Sequence, residues 1–264
     1  MEQLTVYKSP YQKIRVGNRG DGGYVISNIP TQYDVLISGG ISNDISFEQD
    51  FLNRYPSAKC FGFDGTVNDL PTSDSRITFV KKNLGMYETE TTTNLESYFE
   101  TYDNIFLKLD IEGHEFRLLP VILKYFHKIK QIVVEVHSPN DIRTYPSYYS
   151  GLNDITNDTM FSLFSSINKT HTLVHIHGNN GCGIGELDGI RLPYVFECTY
   201  IRNDFVPNKI ENDIPFPTNL DYPNRIGNPE HILKGFPYST LEYVPILNNT
   251  VPIVKRLSYL RRFR

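Results

Sequence analysis

Seven apolar runs of strand length recur between residues 33 and 202. They are DVLIS (34–38), AKCFGFD (58–64), ITFVKKNLG (77–85), NIFLKLD (104–110), QIVVEVH (131–137), HTLVHIH (171–177) and YVFECTYI (194–201). Several are almost continuously apolar, the pattern of strands covered on both faces. Four segments of helical length alternate with them: SFEQDFLNRYP (46–56), TTNLESYFETY (92–102), EFRLLPVILKYFHKI (115–129) and NDTMFSLFSSIN (157–168). Alternation of this kind predicts an α/β chain with a mostly parallel, doubly wound sheet.

The flanks differ from this centre. Residues 1–32 hold KIRVGNRGDGGYVIS, a Gly-rich turn in a polar lead-in, and residues 203–252 hold eight of the 16 prolines among many aromatics. Proline at that density excludes a regular helix or a central strand. An irregular arm over the sheet edge or the active site is expected, followed by a basic end, KRLSYLRRFR (255–264), with the pattern of a short amphipathic helix. A solvated helix is the commoner outcome for such an end, and contact with a membrane surface the rarer one. The three-part division expected is thus 1–32, 33–202 and 203–264.

A net charge of −4 and a pI near 6.0 argue against a general nucleic-acid binder. Three cysteines without CxxC spacing argue against a disulfide framework or structural zinc, and for a reducing compartment. With no signal pattern and no apolar stretch near the roughly 20 residues of a membrane span, the expected location is the cytoplasm. An oligomer is left open.

The chemistry gathers where the runs end. The first leads into Ser38-Gly39-Gly40, and a helix starts soon after, near Asp44 or Ser46. Such a turn lets a ligand approach the backbone at a helix N-terminus. The second run ends on Asp64, 25 residues beyond Gly39, where an acid is placed to bind ribose hydroxyls. The pattern is GG, not GxGxxG, which favours a nucleoside cofactor over a dinucleotide. The fourth run ends on Asp110, a carboxylate costly to bury without a partner. Glu112 and Glu115 follow, and both suit the N-terminus of the next helix. The fifth run carries Glu135 and His137 on one face, and the sixth His175 and His177, followed by Asn179 and Asn180. Carboxylate and imidazole at one crevice deprotonate a hydroxyl or hold a divalent metal that does so. The oxygen and nitrogen mix of Asp110, Glu135 and His137 suits magnesium or manganese better than zinc.

FLKLDIEGHE (106–115) resembles the signature of the FkbM-type S-adenosylmethionine-dependent methyltransferases. RVGNRGDGGYVI, ISGGISNDISFEQDF, CFGFDGT, IVVEVH and LVHIHGNN are similar, in order, to further segments of that family over residues 14–202. The resemblance implies a Rossmann-like, seven-stranded methyltransferase sheet. It places Ser38, Gly39 and Gly40 at the methionine part of the cofactor, Asp64 on the ribose, and Gly65, Thr66 and Asn83 near ribose or adenine. Asp44 and Glu48 match acidic positions of the family's loop. Gly-Gly-Ile stands where relatives commonly have a Gly-x-Gly-like turn.

O-methylation of a hydroxyl follows as the expected reaction. Asp110 would sit beside the transferred methyl, His137 or His177 would act as base or metal ligand, and Glu112 would stand second. The Tyr-rich stretch 143–158, with Arg143 and Tyr148, reads as a carbohydrate wall or as a surface loop packed on the core, and Asn179 and Asn180 as substrate contacts. Family habit favours a nucleotide-linked sugar destined for a surface polysaccharide. The alternatives are a lipid, a polyketide or another small molecule, or a non-catalytic nucleoside-binding protein of the same fold.

Overall fold

The computed structural model describes residues 1–241. The basic segment 255–264 lies outside them. Seven strands form one sheet: β1 (Val35–Gly39), β2 (Lys59–Phe63), β3 (Ile77–Val80), β4 (Ile105–Leu109), β5 (Ile129–His137), β6 (His171–Gly178) and β7 (Val195–Arg202). Their order is β6-β7-β5-β4-β1-β2-β3. Strands β1 to β5 pair in parallel, and β7 runs antiparallel to both of its neighbours. From β1 the chain passes to β2 on one side and later to β4 on the other. In such sheets ligands bind at that switch point, outside the carboxyl ends of the strands.

Helices α1 (Ser46–Arg54), α2 (Glu96–Thr101), α3 (Glu115–Ile122), α4 (Pro139–Thr144) and α5 (Asn157–Asn168) connect the strands. The continuous apolar runs are explained by two cores. Ile37, Leu107 and Ile132 pack with Leu118 of α3 and Phe164 of α5. Their chain neighbours Leu36, Phe106 and Val133 pack on the opposite face with Phe47 and Phe51 of α1. Successive residues of a strand point to opposite faces, so both must be apolar here.

The lead-in folds as a hairpin, Lys13–Val16 paired with Tyr24–Ser27, rather than as a turn alone. Its second strand is fixed by buried Gln131 of β5, which accepts from Ser27 N at 2.8 Å and donates to Ser27 O at 3.0 Å. The arm after β7 crosses β6, where Asp221 meets His175 at 2.8 Å. Between β6 and β7 a second hairpin, Ile184–Leu187 with Ile190–Pro193, has no counterpart in the sequence reading.

Three element boundaries differ from expectation. The run 77–85 ends as a strand at Val80, because Lys82 turns aside to bond Glu88 and the carbonyl of Thr89. Asn83–Leu84 pairs instead with Thr92–Thr93, which delays α2 to Glu96. The helix read over 115–129 stops at Ile122 and tightens to a 3-10 turn over Leu123–Lys128. Pro120 inside it lacks the N–H that an α-turn needs. No helix of the described residues is long and apolar enough to cross a membrane.

One buried histidine makes stability depend on pH. His171 meets Ile129 O at 3.1 Å through Nε2 and Thr170 Oγ1 at 2.9 Å through Nδ1. Burial depresses its pKa from the usual 6.5 to about 4, and the Ile129 carbonyl offsets this only in part. The unfolded chain therefore binds the proton first, and stability falls as pH drops from about 6.5 to about 4, by on the order of 3 kcal/mol from this group. His171→Gln should unfold with a shallower acid dependence. Denaturant melts at pH 7 and pH 4.5 check this, and parallel curves for the two proteins would refute it.

Candidate active site

The turn after β1 is shaped by close approach to β4. Gly40 lies at φ +79°, and a Cβ there would stand 1.7 Å from the carbonyl oxygen of Asp110. Gly40 N donates to Phe63 O at 2.9 Å and Asp110 N to Gly39 O at 3.1 Å, which ties the ends of β1, β2 and β4 together. Beneath the turn, Lys108 donates to Gly40 O at 3.2 Å and lies 3.8 Å from Glu48 Oε1. Ser38 donates to the same Glu48 oxygen at 2.5 Å. Ser38 and Glu48 are wholly buried. They hold the turn in place from inside.

Asp64, at the end of β2, is nearly buried, and its carboxylate organises the neighbouring loops. Ser42 N donates to Oδ2 at 2.8 Å, while Thr66 gives Oδ1 its N–H at 2.7 Å and its hydroxyl at 2.6 Å. Burial raises its pKa, but the Thr66 and Ser42 donors outweigh it, and the carboxyl sits below its usual range. Gly65 N donates to Asn83 Oδ1 at 3.2 Å, so the end of β2 and the segment after β3 are joined. Asp44 accepts from Ser46 N and Asn18 Nδ2, both at 2.8 Å, and links the start of α1 to the hairpin loop.

At the ends of β4 and β5, Asp110, Glu135 and His137 offer ligand atoms that all lie within 4.8 Å of one another. Tyr24 of the hairpin donates to Asp110 Oδ2 at 2.8 Å. His137 Nε2 stands 3.4 Å from both Glu135 Oε2 and Glu112 Oε2. Its Nδ1 is held by Asp141 Oδ2 at 3.0 Å and by the Tyr149 hydroxyl at 2.6 Å, and its backbone N donates to Glu115 Oε1 at 3.0 Å. With Nδ1 engaged, buried Nε2 is the ring nitrogen that faces the carboxylates. A carboxylate behind the imidazole is the usual way to aim a metal-binding histidine.

The crowding of acids shows in their titration. Burial first, then the charge of Asp110, pushes Glu135 up to about 8. Burial likewise raises Glu112 and lifts Glu115 to about 7. Burial opposes a charge on His137, but Asp141 and Glu135 overcome it and hold its pKa well above 6.5.

The remaining sequence candidates divide. Asn179 joins the cluster, donating to Glu135 Oε1 at 3.0 Å. Tyr148, exposed, hydrogen-bonds Glu112 at the mouth. His177 is separated from Glu135 by the whole of β7, opposite Glu197, and belongs to a different group. Asn180 binds backbone carbonyls of Arg225 and Asn228, which anchors the arm. Arg143 donates to Asn140 Oδ1 at 3.4 Å and is exposed, away from the cluster's hydrogen bonds. Glu115 is no ordinary helix-start acid: it is wholly buried under His137. Sequence reasoning missed Tyr24, Lys108, Asp141 and Tyr149. Of these only Asp141 carried a signal, four residues after His137 at the start of a helix.

The model of the methyltransferase FkbM domain matches residues 10–169. That is more than half of the chain. The chain belongs to the FkbM methyltransferase family. Methyl transfer from S-adenosylmethionine is therefore its chemistry, and the match takes in the hairpin and strands β1 to β5 with every residue of the Asp110–Glu135–His137 cluster. Strands β6 and β7 and the arm lie beyond it. Among solved structures, the plantazolicin methyltransferase BpumL in complex with SAH is similar at 13% identity over 64% of this chain and 75% of that one, with a TM-score of 0.34. The aminoglycoside resistance methyltransferase NpmB1 is 12% identical over 72% of this chain and 100% of that one, at 0.37. A putative O-methyltransferase from Nostoc punctiforme is 14% identical over 65% and 51%, at 0.32. The curated proteins contain no match.

Proposed function

We propose that this FkbM methyltransferase methylates a hydroxyl of a sugar, presented as a nucleotide-linked sugar, with help from a divalent cation held by Asp110, Glu135 and His137. The observation that carries the reading is the convergence of Asp110, Glu135 and His137, whose ligand atoms all lie within 4.8 Å of one another, beside the Gly39–Gly40 turn. The cofactor would lie along that turn, with its ribose at Asp64. Side-chain-free backbone at Gly39 and Gly40 and an acid at the next strand end suit a nucleoside there.

A magnesium or manganese ion in such an oxygen and nitrogen set supplies Lewis acidity, which lowers the pKa of a bound hydroxyl. The protein's own part is alignment and proton removal. Asp110 is fixed by Tyr24, and His137 by Asp141 and Tyr149, and residues held in this way would position a nucleophile for displacement at the methyl. Glu112 stands on the solvent side of the cluster, at φ +55°, with half of its side chain exposed. It takes the hydroxyl proton and can pass it to water.

The substrate class is supported by the surroundings. The crevice floor is a polar row rather than an apolar slot, which suits a polyol better than a lipid. Exposed Tyr145 and Tyr148 offer ring faces at the mouth. Arg19, stacked over Tyr222 at 5.5 Å, and exposed Arg225 would offer positive charge to a diphosphate.

Two measurements test the reading. Manganese binding followed by electron paramagnetic resonance should reveal one site, weakened at least about tenfold in His137→Ala. Release of S-adenosylhomocysteine with a panel of nucleotide-linked hexoses and heptoses should stop on chelation and return with magnesium or manganese. Full activity in excess chelator would remove the cation from the account.

A further inference from the structure

Glu135 is held by a residue 44 positions away in the chain. The turn after β6 passes the start of β7, where Asn179 N donates to Val195 O at 2.9 Å. Its side chain reaches on to β5, and Nδ2 donates to Glu135 Oε1 at 3.0 Å. The other end of the amide settles its orientation. Gly181 N donates to Asn179 Oδ1 at 2.9 Å, and a backbone N–H needs an oxygen there, so the NH2 group faces Glu135. With both ends of the amide engaged inside the protein, Asn179 has one N–H left at most for a substrate.

The bond fixes one oxygen of Glu135 and so directs the other. Glu135 Oε2 lies 3.4 Å from His137 Nε2. Asp110 and Glu197 place like charge beside Glu135, and unopposed repulsion would turn its carboxylate away. A neutral amide opposes that without adding a charge that competes with a cation.

The arm in turn grips the loop that carries Asn179. Asn180 is buried, and its Nδ2 donates to Arg225 O at 3.1 Å and to Asn228 O at 3.0 Å, while Oδ1 accepts from Arg225 N at 2.8 Å. Asn228 Nδ2 donates back to Asn180 O at 2.9 Å, and His231 Nε2 meets Cys182 O at 2.9 Å.

We propose that Asn179 is a positioning residue that aims Glu135 at the cation of the cluster, and that the arm supports the cluster through it. This rests on the reading of Asp110, Glu135 and His137 as a cation site. Asn179 and the arm lie beyond residue 169, outside the segment that the family model matches. The centre inside the family's segment is thereby completed from outside it, and cation affinity can change there without change at the cofactor turn.

The test titrates the full chain with manganese, followed by electron paramagnetic resonance, and with S-adenosylhomocysteine, followed by calorimetry. Asn179→Ser keeps an oxygen for Gly181 N, since a serine hydroxyl makes the same turn more weakly, but it is too short to reach Glu135. Manganese should bind at least about tenfold more weakly in this variant, with the affinity for S-adenosylhomocysteine unchanged. The spectrum of the bound ion at saturation should also change, because Glu135 is no longer held in one orientation. Wild-type manganese affinity and spectrum in Asn179→Ser would overturn the proposal. An equal loss of both ligands would overturn it too, since Asn179 would then only support the fold. The combined variant Asn228→Ala/His231→Ala loosens the arm from the loop and should weaken manganese about threefold. No change there would overturn the part given to the arm. Failure of the wild-type protein to bind manganese is a separate result, and it would overturn the parent reading of the cluster instead.

Discussion

Asp110→Asn is expected to lower the rate of methyl transfer at least about 100-fold while leaving the affinity for S-adenosylhomocysteine within a few-fold of wild type. The substitution preserves shape and an oxygen for the Tyr24 hydroxyl, so the fold and the end of β4 stay in place. What it removes is charge. Asp110 is the member of the cluster next to the Gly40 turn, where the methyl donor would lie, and its charge contributes to raising Glu135 and Glu112. Without it, both the attraction for a cation and the polarisation of a bound hydroxyl weaken. The demand for magnesium or manganese should shift to higher concentration in the same variant. A rate within threefold of wild type would show that the carboxylate is a bystander. Single-turnover measurements with the acceptor found by the panel are the cleanest readout, because they isolate the chemical step.

Gly40→Ala should destabilise the protein by about 2–5 kcal/mol, through two independent costs. An alanine at φ +79° pays the left-handed penalty. Its Cβ would also stand 1.7 Å from Asp110 O and 2.7 Å from Asp110 C, both backbone atoms that move only if β1 and β4 part. Gly39→Ala is the matched control. Its Cβ would meet the Cδ1 of Leu84 at 2.4 Å, the far end of a flexible side chain. Thermal unfolding should therefore place the Gly40 variant roughly 10 °C below wild type and the Gly39 variant much nearer to it. Equal losses would mean that the close approach of the two strand ends does not set the stability of the turn.

The sheet was legible because its strands are buried on both faces. Runs such as NIFLKLD and QIVVEVH cannot be amphipathic when Leu107 and Phe106 enter different cores. The strand ends were legible for a related reason: an apolar run that closes on Asp64, Asp110 or His137 breaks its own pattern. What stayed hidden depends on contacts distant in the chain. Tyr24 reaches Asp110 across 86 positions, and Asn224 reaches Glu197 across 27. Nothing in the local pattern of either residue announces a partner. The hairpin around the Gly-rich turn was read as a lead-in because its strands have four residues each, too few for alternation to register. His177 was grouped with His137 because both end strands. Parallel and antiparallel neighbours cannot be distinguished from one run, and the insertion of β7 between β5 and β6 is what separates them. Glu115 misled for the opposite reason: an acid at a helix start fits the helix dipole so well that its burial beneath His137 left no trace.

The ends of β1, β2 and β4 are expected to hold S-adenosylmethionine, with Asp64 on its ribose. Calorimetric titration of the chain with S-adenosylmethionine and S-adenosylhomocysteine, with NAD as the control, tests it most directly. Micromolar binding of both sulfur nucleosides, no binding of NAD, and at least about a tenfold loss in Asp64→Ala are the expected results, since a hydrogen bond to a carboxylate contributes roughly 1.5–3 kcal/mol. Absence of binding by either nucleoside, or an affinity unchanged in Asp64→Ala, would contradict the placement of the cofactor at this crevice.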